Sequence, residues 1–139
     1  KGLRIMGLGG CIRYNREDTY QYTEKEMRRR ARKLWFKAHR AGGIDLLLTH
    51  APAKGLNDGG DKAHVGFETF NGLLEDYQPK WFVHGHVHLN YDAKLPRVCT
   101  HGRTTVINAT ERYLFEIPDP DPTAQRKFFW KNPAFTTEN

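Results

Sequence analysis

The chain has 139 residues, 38% of them hydrophobic and 27% charged, and its 22 basic and 16 acidic side chains give a formal net charge of +6 at pH 7. This composition excludes a disordered chain, and no apolar run approaches the roughly 18 residues of a membrane-spanning helix. The two cysteines form no C-x-x-C pair, which excludes a disulfide framework. We therefore expect a soluble, cytoplasmic domain with no membrane partner.

The first half of the chain alternates between strand and helix patterns. Residues 3–8 predict a strand, and residues 9–22 predict an ordered polar loop. A capping box at residues 23–26 predicts the start of a helix, which we expect to end at Gly42-Gly43. Residues 44–49 are nearly all apolar, which is typical of a central strand covered on both faces.

The second half continues the alternation and then changes character. A glycine-rich loop precedes a predicted helix over residues 67–77, and residues 80–83 predict the next buried strand. Apolar and polar residues alternate over residues 103–108 and 112–117, which is typical of antiparallel strands. The pattern therefore predicts an α/β fold with a mixed sheet, in which parallel strand-helix-strand units are followed by antiparallel strands.

The two ends of the chain suggest how it is organised. The predicted domain covers residues 1–117, and residues 118–139 predict a Pro/Asp spacer followed by an aromatic tail that contains Phe128-Phe129-Trp130. The chain begins with Lys1, almost inside the first predicted strand. We therefore expect it to be part of a longer protein.

Histidines are concentrated where two predicted parallel strands end. Five of the seven lie between residues 50 and 88, and His50 and His86 each follow an apolar strand directly. The carboxyl ends of parallel strands meet at one edge of a sheet, where ligands usually bind. Neutral imidazole is a common ligand for zinc, iron and related ions. His50, His86 and His88 are therefore predicted to bind metal.

Residues beside these three have supporting roles. His84 precedes a glycine inside the strand, and we expect it to be packed or hydrogen-bonded behind the metal ligands. Gly85 is expected to let the backbone turn sharply at the site. His39 and His101, which lie outside this part of the chain, are expected to be structural or solvated.

Two motifs together resemble a known family. Thr49-His50-Ala51-Pro52 and Gly85-His86-Val87-His88 each follow an apolar strand, and a further strand closes in Thr105-Val106-Ile107-Asn108. Over about residues 3–117, the chain resembles the second half of the calcineurin-like metallophosphoesterases.

The resemblance implies a fold, a metal site and a reaction. The implied fold is the C-terminal half of a four-layer α-β-β-α sandwich, and the implied reaction is hydrolysis of a phosphate mono- or diester at two divalent transition-metal ions, Mn, Fe or Zn. His50 and His86 would bind the second ion and His88 the first. Arg13 and His64 lie in polar loops that can fold over the metals, so we expect them to contact substrate.

The family's upstream elements, D-x-H, G-D and G-N-H-D/E, are absent from their expected places. Gly60-Asp61 has the letters of the second element, but it follows His50 instead of preceding it. Three neutral imidazoles leave two divalent ions without a bridging carboxylate. The missing N-terminal half of the domain is therefore a predicted partner, and it would also supply the general acid, so no catalytic residue is predicted here. A mononuclear three-histidine zinc site is the alternative.

A binding module that lacks catalytic activity is the competing interpretation. Residues 28–33 form a basic run that could attract a nucleic-acid backbone. Acidic residues at the start of this predicted helix and basic residues towards its end also suit the helix dipole, which explains the run without a ligand. The aromatic tail could instead dock on a protein partner.

Overall fold

The computed structural model describes residues 2–15, 19–89 and 95–118. The elements, in chain order, are β1 (Ile5–Leu8), β2 (Cys11–Ile12), β3 (Gln21–Tyr22), α1 (Glu24–Arg40), β4 (Leu46–Thr49), α2 (Glu68–Tyr77), β5 (Trp81–His84), β6 (Val98–His101) and β7 (Thr104–Asn108). None of the helices in the described part of the chain is long and apolar enough to cross a bilayer. The predicted spacer and tail, from residue 119 onward, and Lys1 lie outside the described residues.

The main sheet has five strands in the order β1-β4-β5-β7-β6. The neighbours β1, β4, β5 and β7 pair in parallel, and β6 pairs antiparallel with β7. The prediction of an α/β fold with a mixed sheet is confirmed. The carboxyl ends of the four parallel strands therefore share one edge, which we call the carboxyl edge.

The predicted start and end of α1 are both confirmed. The Thr23 hydroxyl accepts a hydrogen bond from the Glu26 N–H at 3.3 Å, and the Glu26 carboxylate accepts one from the Thr23 N–H at 2.7 Å. Gly42 and Gly43 both have positive φ, at 76° and 101°, so they end the helix in a conformation that glycine adopts readily.

The start of α2 is capped through tertiary structure. Its N-cap residue, Phe67, provides no side-chain hydrogen bond. Instead, the Glu24 carboxylate in the first turn of α1 accepts hydrogen bonds from the Glu68 N–H at 3.2 Å and the Thr69 N–H at 2.7 Å. A residue 44 positions away in sequence thus satisfies unpaired N–H groups that every helix start leaves.

The two faces of the sheet are covered differently. Both helices pack on one face, where the buried side chains of the sheet include Met6, Leu47, Phe82 and Val106. The other face carries a smaller cluster of four buried residues, against which partly buried residues between 109 and 117 pack.

The prediction that the strand over residues 44–49 is covered on both faces is confirmed at Leu46, which is buried in the smaller cluster, and is wrong at Leu48. Leu48 is 46% exposed, and Ile5, in the neighbouring strand β1, is 57% exposed. Both side chains lie on the face opposite the helices, outside the smaller cluster on which the described part of the segment after β7 packs. An apolar part of the sheet is therefore open to solvent.

The prediction of a strand over residues 112–117 is also wrong. These residues form no strand, and the antiparallel partner of β7 is β6, which precedes it in the chain. Phe115 and Ile117 instead pack on the smaller cluster. The alternation of apolar residues arises because one side of this segment lies on the sheet, not because the segment belongs to the sheet.

A pair of hydrogen bonds joins α1 to α2. The Trp35 indole N–H donates to the Asp76 carboxylate at 3.2 Å, and the Tyr77 hydroxyl donates to the Trp35 carbonyl at 2.8 Å. Burial raises the pKa of the Asp76 carboxyl above its ordinary value, against a smaller lowering by the Trp35 hydrogen bond.

Leu47 and Leu48 are adjacent residues of one strand on opposite faces, so they make a matched pair. Leu47 is fully buried, and we expect Leu47→Ala to lower the free energy of unfolding by about 2–5 kcal/mol because it leaves a cavity in the core. For Leu48→Ala we expect a loss of less than about 1 kcal/mol. Urea unfolding measures both, and equal losses would contradict the assignment of the two faces.

Asp76→Asn should stabilise the chain at neutral pH. Because the folded chain binds the Asp76 proton more tightly than the unfolded chain, stability falls as the pH rises through the raised pKa. The asparagine keeps an acceptor for Trp35 and removes the charge. Urea unfolding should therefore show Asp76→Asn to be more stable than the parent at pH 7 and equal to it at pH 3. Glu116→Gln, at an exposed residue in the segment after β7, is the control for general charge removal, and a gain as large there would contradict the prediction.

Candidate functional site

The residues that follow the parallel strands meet at the carboxyl edge. The His50 N–H donates to the Leu8 carbonyl at 3.2 Å, and the Gly85 N–H donates to the His50 carbonyl at 3.0 Å. The backbone thus joins the ends of β1, β4 and β5. The His50 and His86 rings lie with their centroids 4.8 Å apart, as expected from their positions after neighbouring strands.

The chain turns sharply at His86. The Val87 N–H donates to the Gly85 carbonyl at 2.8 Å, and the enclosed residue, His86, has φ of 69°. A hydrogen bond across two residues around a positive φ describes a γ-turn of the rare, strained kind. The sequence predicted that Gly85 would allow the sharp turn, but the residue with the strained backbone is His86. A Cβ added at Gly85 would make only ordinary contacts at 3.8 Å. Such strain is concentrated at functional sites in proteins.

The His86 ring is held in one tautomer. Its Nε2 lies 2.8 Å from the Ala63 carbonyl, which can only accept, so Nε2 carries the hydrogen and the neutral ring has its lone pair on Nδ1. Burial lowers the pKa of His86, and the neighbouring histidines lower it further, against the raising effect of the Ala63 bond. A neutral imidazole that donates its other N–H to a carbonyl is the usual form of a metal-binding histidine.

His64 joins this group together with Asp61. The His64 ring centroid lies 5.2 Å from that of His86, and its Nδ1 lies 2.8 Å from an Asp61 carboxylate oxygen. Asp61 also accepts hydrogen bonds from the backbone N–H groups of Ala63 and His64, at 2.8 and 3.1 Å. Its hydrogen bond with the His64 ring and these backbone bonds lower the pKa of the Asp61 carboxyl.

The sequence analysis did not predict that Asp61 pairs with His64, because it considered Gly60-Asp61 only as the Gly-Asp element of the family. The Asp-x-x-His spacing at residues 61–64 is the signal that could have found it, since a loop aspartate often accepts from the backbone two and three residues later.

The predicted metal ligands are brought together only in part. The His86 ring contacts those of His50 and His64, whereas the nearby His88 makes only a small contribution to the lowered pKa of His86. Within residues 2–15, 19–89 and 95–118, no group of three or more His, Cys, Asp or Glu side chains is arranged to hold a metal ion. The role of His50, His86 and His88 as ligands stays a prediction.

His84 lies behind these rings in β5. It is 1% exposed, its Nδ1–H donates to the Gly85 carbonyl at 3.1 Å, and its ring lies 5.4 Å from that of Phe82. Burial lowers the pKa of His84 to about 4, so the ring is neutral at pH 7. Its buried Nε2 has no hydrogen-bond partner among the described residues.

Asn108 and Thr110 form hydrogen bonds with the backbone between His86 and His88. The Asn108 side-chain amide donates to the Val87 carbonyl at 2.7 Å, and the Thr110 hydroxyl donates to the same carbonyl at 3.0 Å. Asn108 is fully buried, and its side-chain oxygen accepts from the Thr110 N–H at 3.0 Å. The end of β7 thus fixes the turn that follows β5.

An open cleft lies beside the histidines. It has a volume of about 750 Å³, and its walls include His50, His86, Arg30 and three tyrosines at positions 14, 20 and 22. Arg13, predicted to contact substrate, does not line it. The Arg13 guanidinium instead pairs with the Glu26 carboxylate at 3.0 Å and with the Gln21 carbonyl at 3.3 Å.

Comparisons with known proteins assign no family to this chain. No protein-family model, curated protein or solved structure matches it. Its function therefore has to be argued from the site.

Asn108→Ala should loosen the turn at Val87. Removing the amide leaves two buried hydrogen bonds unmade, so we expect the free energy of unfolding to fall by about 1–3 kcal/mol. The NMR signals of the His86 ring should also shift. Thr105→Ala, in the same strand with a half-buried side chain, is the control. Equal effects of the two variants on the His86 signals would contradict this role of Asn108.

Proposed function

We propose that this chain is the C-terminal half of a metal-dependent phosphoesterase, which hydrolyses a phosphate mono- or diester at a dinuclear metal site. The observation that carries the proposal is the adjacent pair of rings, His50 and His86, at the carboxyl edge of a parallel sheet. Ligands bind at such edges, and paired imidazoles there are suited to transition-metal ions.

The form of His86 supports metal binding. The Ala63 carbonyl holds the hydrogen on Nε2, and burial favours the neutral ring, so a lone pair on Nδ1 is available. His50 is exposed and accessible to an ion. With His88, these residues would hold Mn, Fe or Zn, which when bound supplies Lewis-acid activation of water and of the phosphate oxygens.

The donor set is incomplete for two ions. Imidazoles bind metal ions in their neutral form, whereas two divalent cations need carboxylates to offset their charge. Asp61 is bound to His64 and to the backbone of its own loop. We therefore propose that the remaining ligands and the general acid come from the N-terminal half of the domain.

The open side of the sheet supports a missing half. Ile5 and Leu48 expose apolar surface on the face opposite the helices, next to the smaller buried cluster. Contiguous apolar surface on a sheet favours a second packed layer. A second sheet on this face would complete the α-β-β-α sandwich that the resemblance implies.

His64 is suited to contact a phosphate. The Asp61 carboxylate lies 2.8 Å from its Nδ1, and the His64 ring is held with its centroid 5.2 Å from that of His86. Since Arg13 is engaged by Glu26, Arg30 is the better candidate in this chain to attract the phosphate charge.

A nucleic-acid-binding module is the second candidate. The basic residues on the outer side of α1 are exposed, and the exposed ring of Phe36 lies among them. The acidic first turn and basic last turn of α1 account for much of this pattern through the helix dipole.

Metal binding tests the proposal directly. We expect His50→Ala and His86→Ala each to lower the affinity of the chain for Zn²⁺ by about tenfold or more, because each removes a ligand. His101→Ala is the control, since His101 ends β6 at the opposite edge of the sheet. Elemental analysis after dialysis against limiting Zn²⁺ measures the effect. Equal zinc contents in the parent chain and all three variants would contradict the site.

A further inference from the structure

We propose that the cleft beside His50 and His86 binds a planar aromatic group, so that the substrate is a phosphate ester bearing an aromatic or heteroaromatic ring, such as a nucleoside phosphate. This inference rests on the proposed function, which assigns the phosphate to the histidines. The cleft indicates the chemical nature of the rest of the substrate.

The walls of the cleft are aromatic and open to solvent. Tyr14 is 46% exposed and Tyr20 is 76% exposed, and Tyr22 completes the set of three tyrosines. Exposed aromatic rings that converge on one concavity offer stacking surface at little loss of side-chain entropy, since each ring has only two rotatable bonds. The volume of about 750 Å³ is that of a small-molecule site.

The fold holds this aromatic wall in place. Gly10, just after β1, has φ of 101°, and a Cβ there would lie 2.4 Å from the Tyr22 ring and 2.5 Å from the Tyr20 carbonyl. The Cys11 N–H donates to that carbonyl at 3.2 Å. The backbone thus passes so close to the tyrosines that only glycine fits, which fixes the wall against the end of β1.

Tyr20 has a backbone conformation that is unfavourable for its side chain. Its φ is 63°, a conformation uncommon for a bulky side chain. Tyr14 is held on the same loop, because its N–H donates to the Gln21 side-chain oxygen at 3.1 Å. A strained aromatic residue in a tied loop indicates a site organised before its ligand arrives.

The charge of the cleft selects an anionic ligand. The Arg30 guanidinium lies 4.0 Å from the centre of the Tyr22 ring, and its Nη1 donates to the Gly9 carbonyl at 2.7 Å. None of the described residues that line the cleft is Asp or Glu. The cleft therefore combines positive charge with aromatic faces, the pair of features that binds nucleotides through phosphate and base.

The lining also disfavours other ligand classes. No leucine, isoleucine, valine or phenylalanine contributes to the described wall, so a long alkyl chain finds no matching surface. Among the described residues of the wall, a cationic ligand finds no carboxylate. An aromatic phosphate ester is the class that uses the tyrosines, the arginine and the histidines together.

The experiment compares three probes on the Mn²⁺-loaded chain by isothermal titration calorimetry: adenosine 5′-monophosphate, glycerol 3-phosphate and adenosine. We expect the aromatic ester to bind at least about five times more tightly than glycerol 3-phosphate, the factor that one weak stacking contact supplies. In the double variant Tyr14→Leu/Tyr20→Leu, the two affinities should become equal while the Mn²⁺ content stays unchanged.

Tyr113→Leu is the matched control. Tyr113 is an exposed tyrosine that lies near Arg97 and not in the cleft, so its loss should leave the preference for the aromatic ester intact. Urea unfolding of each variant shows whether the fold is kept. Equal affinities of the two esters in the parent chain, or a preference that survives in the double variant, would overturn the inference.

Adenosine separates this inference from the proposed function. It has no phosphate, so its binding should depend on the tyrosines and not on His50. If the chain bound adenosine through the tyrosines but bound no Mn²⁺, the proposed function would fail and the aromatic site would stand. If it bound Mn²⁺ but showed no preference for the aromatic ester, only the inference would be overturned.

Discussion

The parallel pairing of β4 with both β1 and β5 is the constraint on which the rest of the structure depends. It sets Leu8 opposite Thr49 and Leu48 opposite Val83, so that all three strands end at one edge. Side chains alternate between the two faces of a strand, and a slip of one residue would exchange the buried and exposed sets. The same register therefore determines which leucine enters the core and where the histidines stand.

The stabilising core and the candidate site lie in different parts of this molecule. The face of the sheet that the helices cover contains the fully buried apolar residues, whereas the carboxyl edge contains the unfavourable features. His86 and Tyr20 have positive φ, and His84 is buried with a nitrogen that no described residue satisfies. Each of these features costs stability, and the packed helices supply the free energy that offsets the cost. Strain at His86 and Tyr20, which both lie beside the carboxyl edge, is consistent with a binding site there.

Tertiary contacts also shape the loops around this edge. The turn at His86 is supported from the end of β7 through Asn108 and from the loop before α2 through Ala63. The aromatic wall of the cleft is supported by Gly10, where the chain leaves β1. The site is therefore assembled from segments far apart in sequence, each too short to hold its own conformation.

Local patterns were sufficient for much of the fold. The capping box at Thr23 and the glycines after α1 act within a few residues, so the sequence alone determined where this helix begins and ends. The position of His50 and His86 after apolar strands likewise predicted that their rings would meet. Residues 112–117 were misassigned because alternating apolar residues look the same whether a segment joins a sheet or lies across one.

What the sequence by itself determined was the alternation of the two helices with the first parallel strands, the helix boundaries and the edge at which the histidines gather, because each depends on contacts between near neighbours in the chain or on a general rule of parallel sheets. Only the tertiary structure decided that Asp61 orients His64, that Glu24 caps α2 and that Arg30 rather than Arg13 lines the cleft. These outcomes depend on where a side chain points once distant or looped segments have packed, and one-dimensional spacing does not encode that direction.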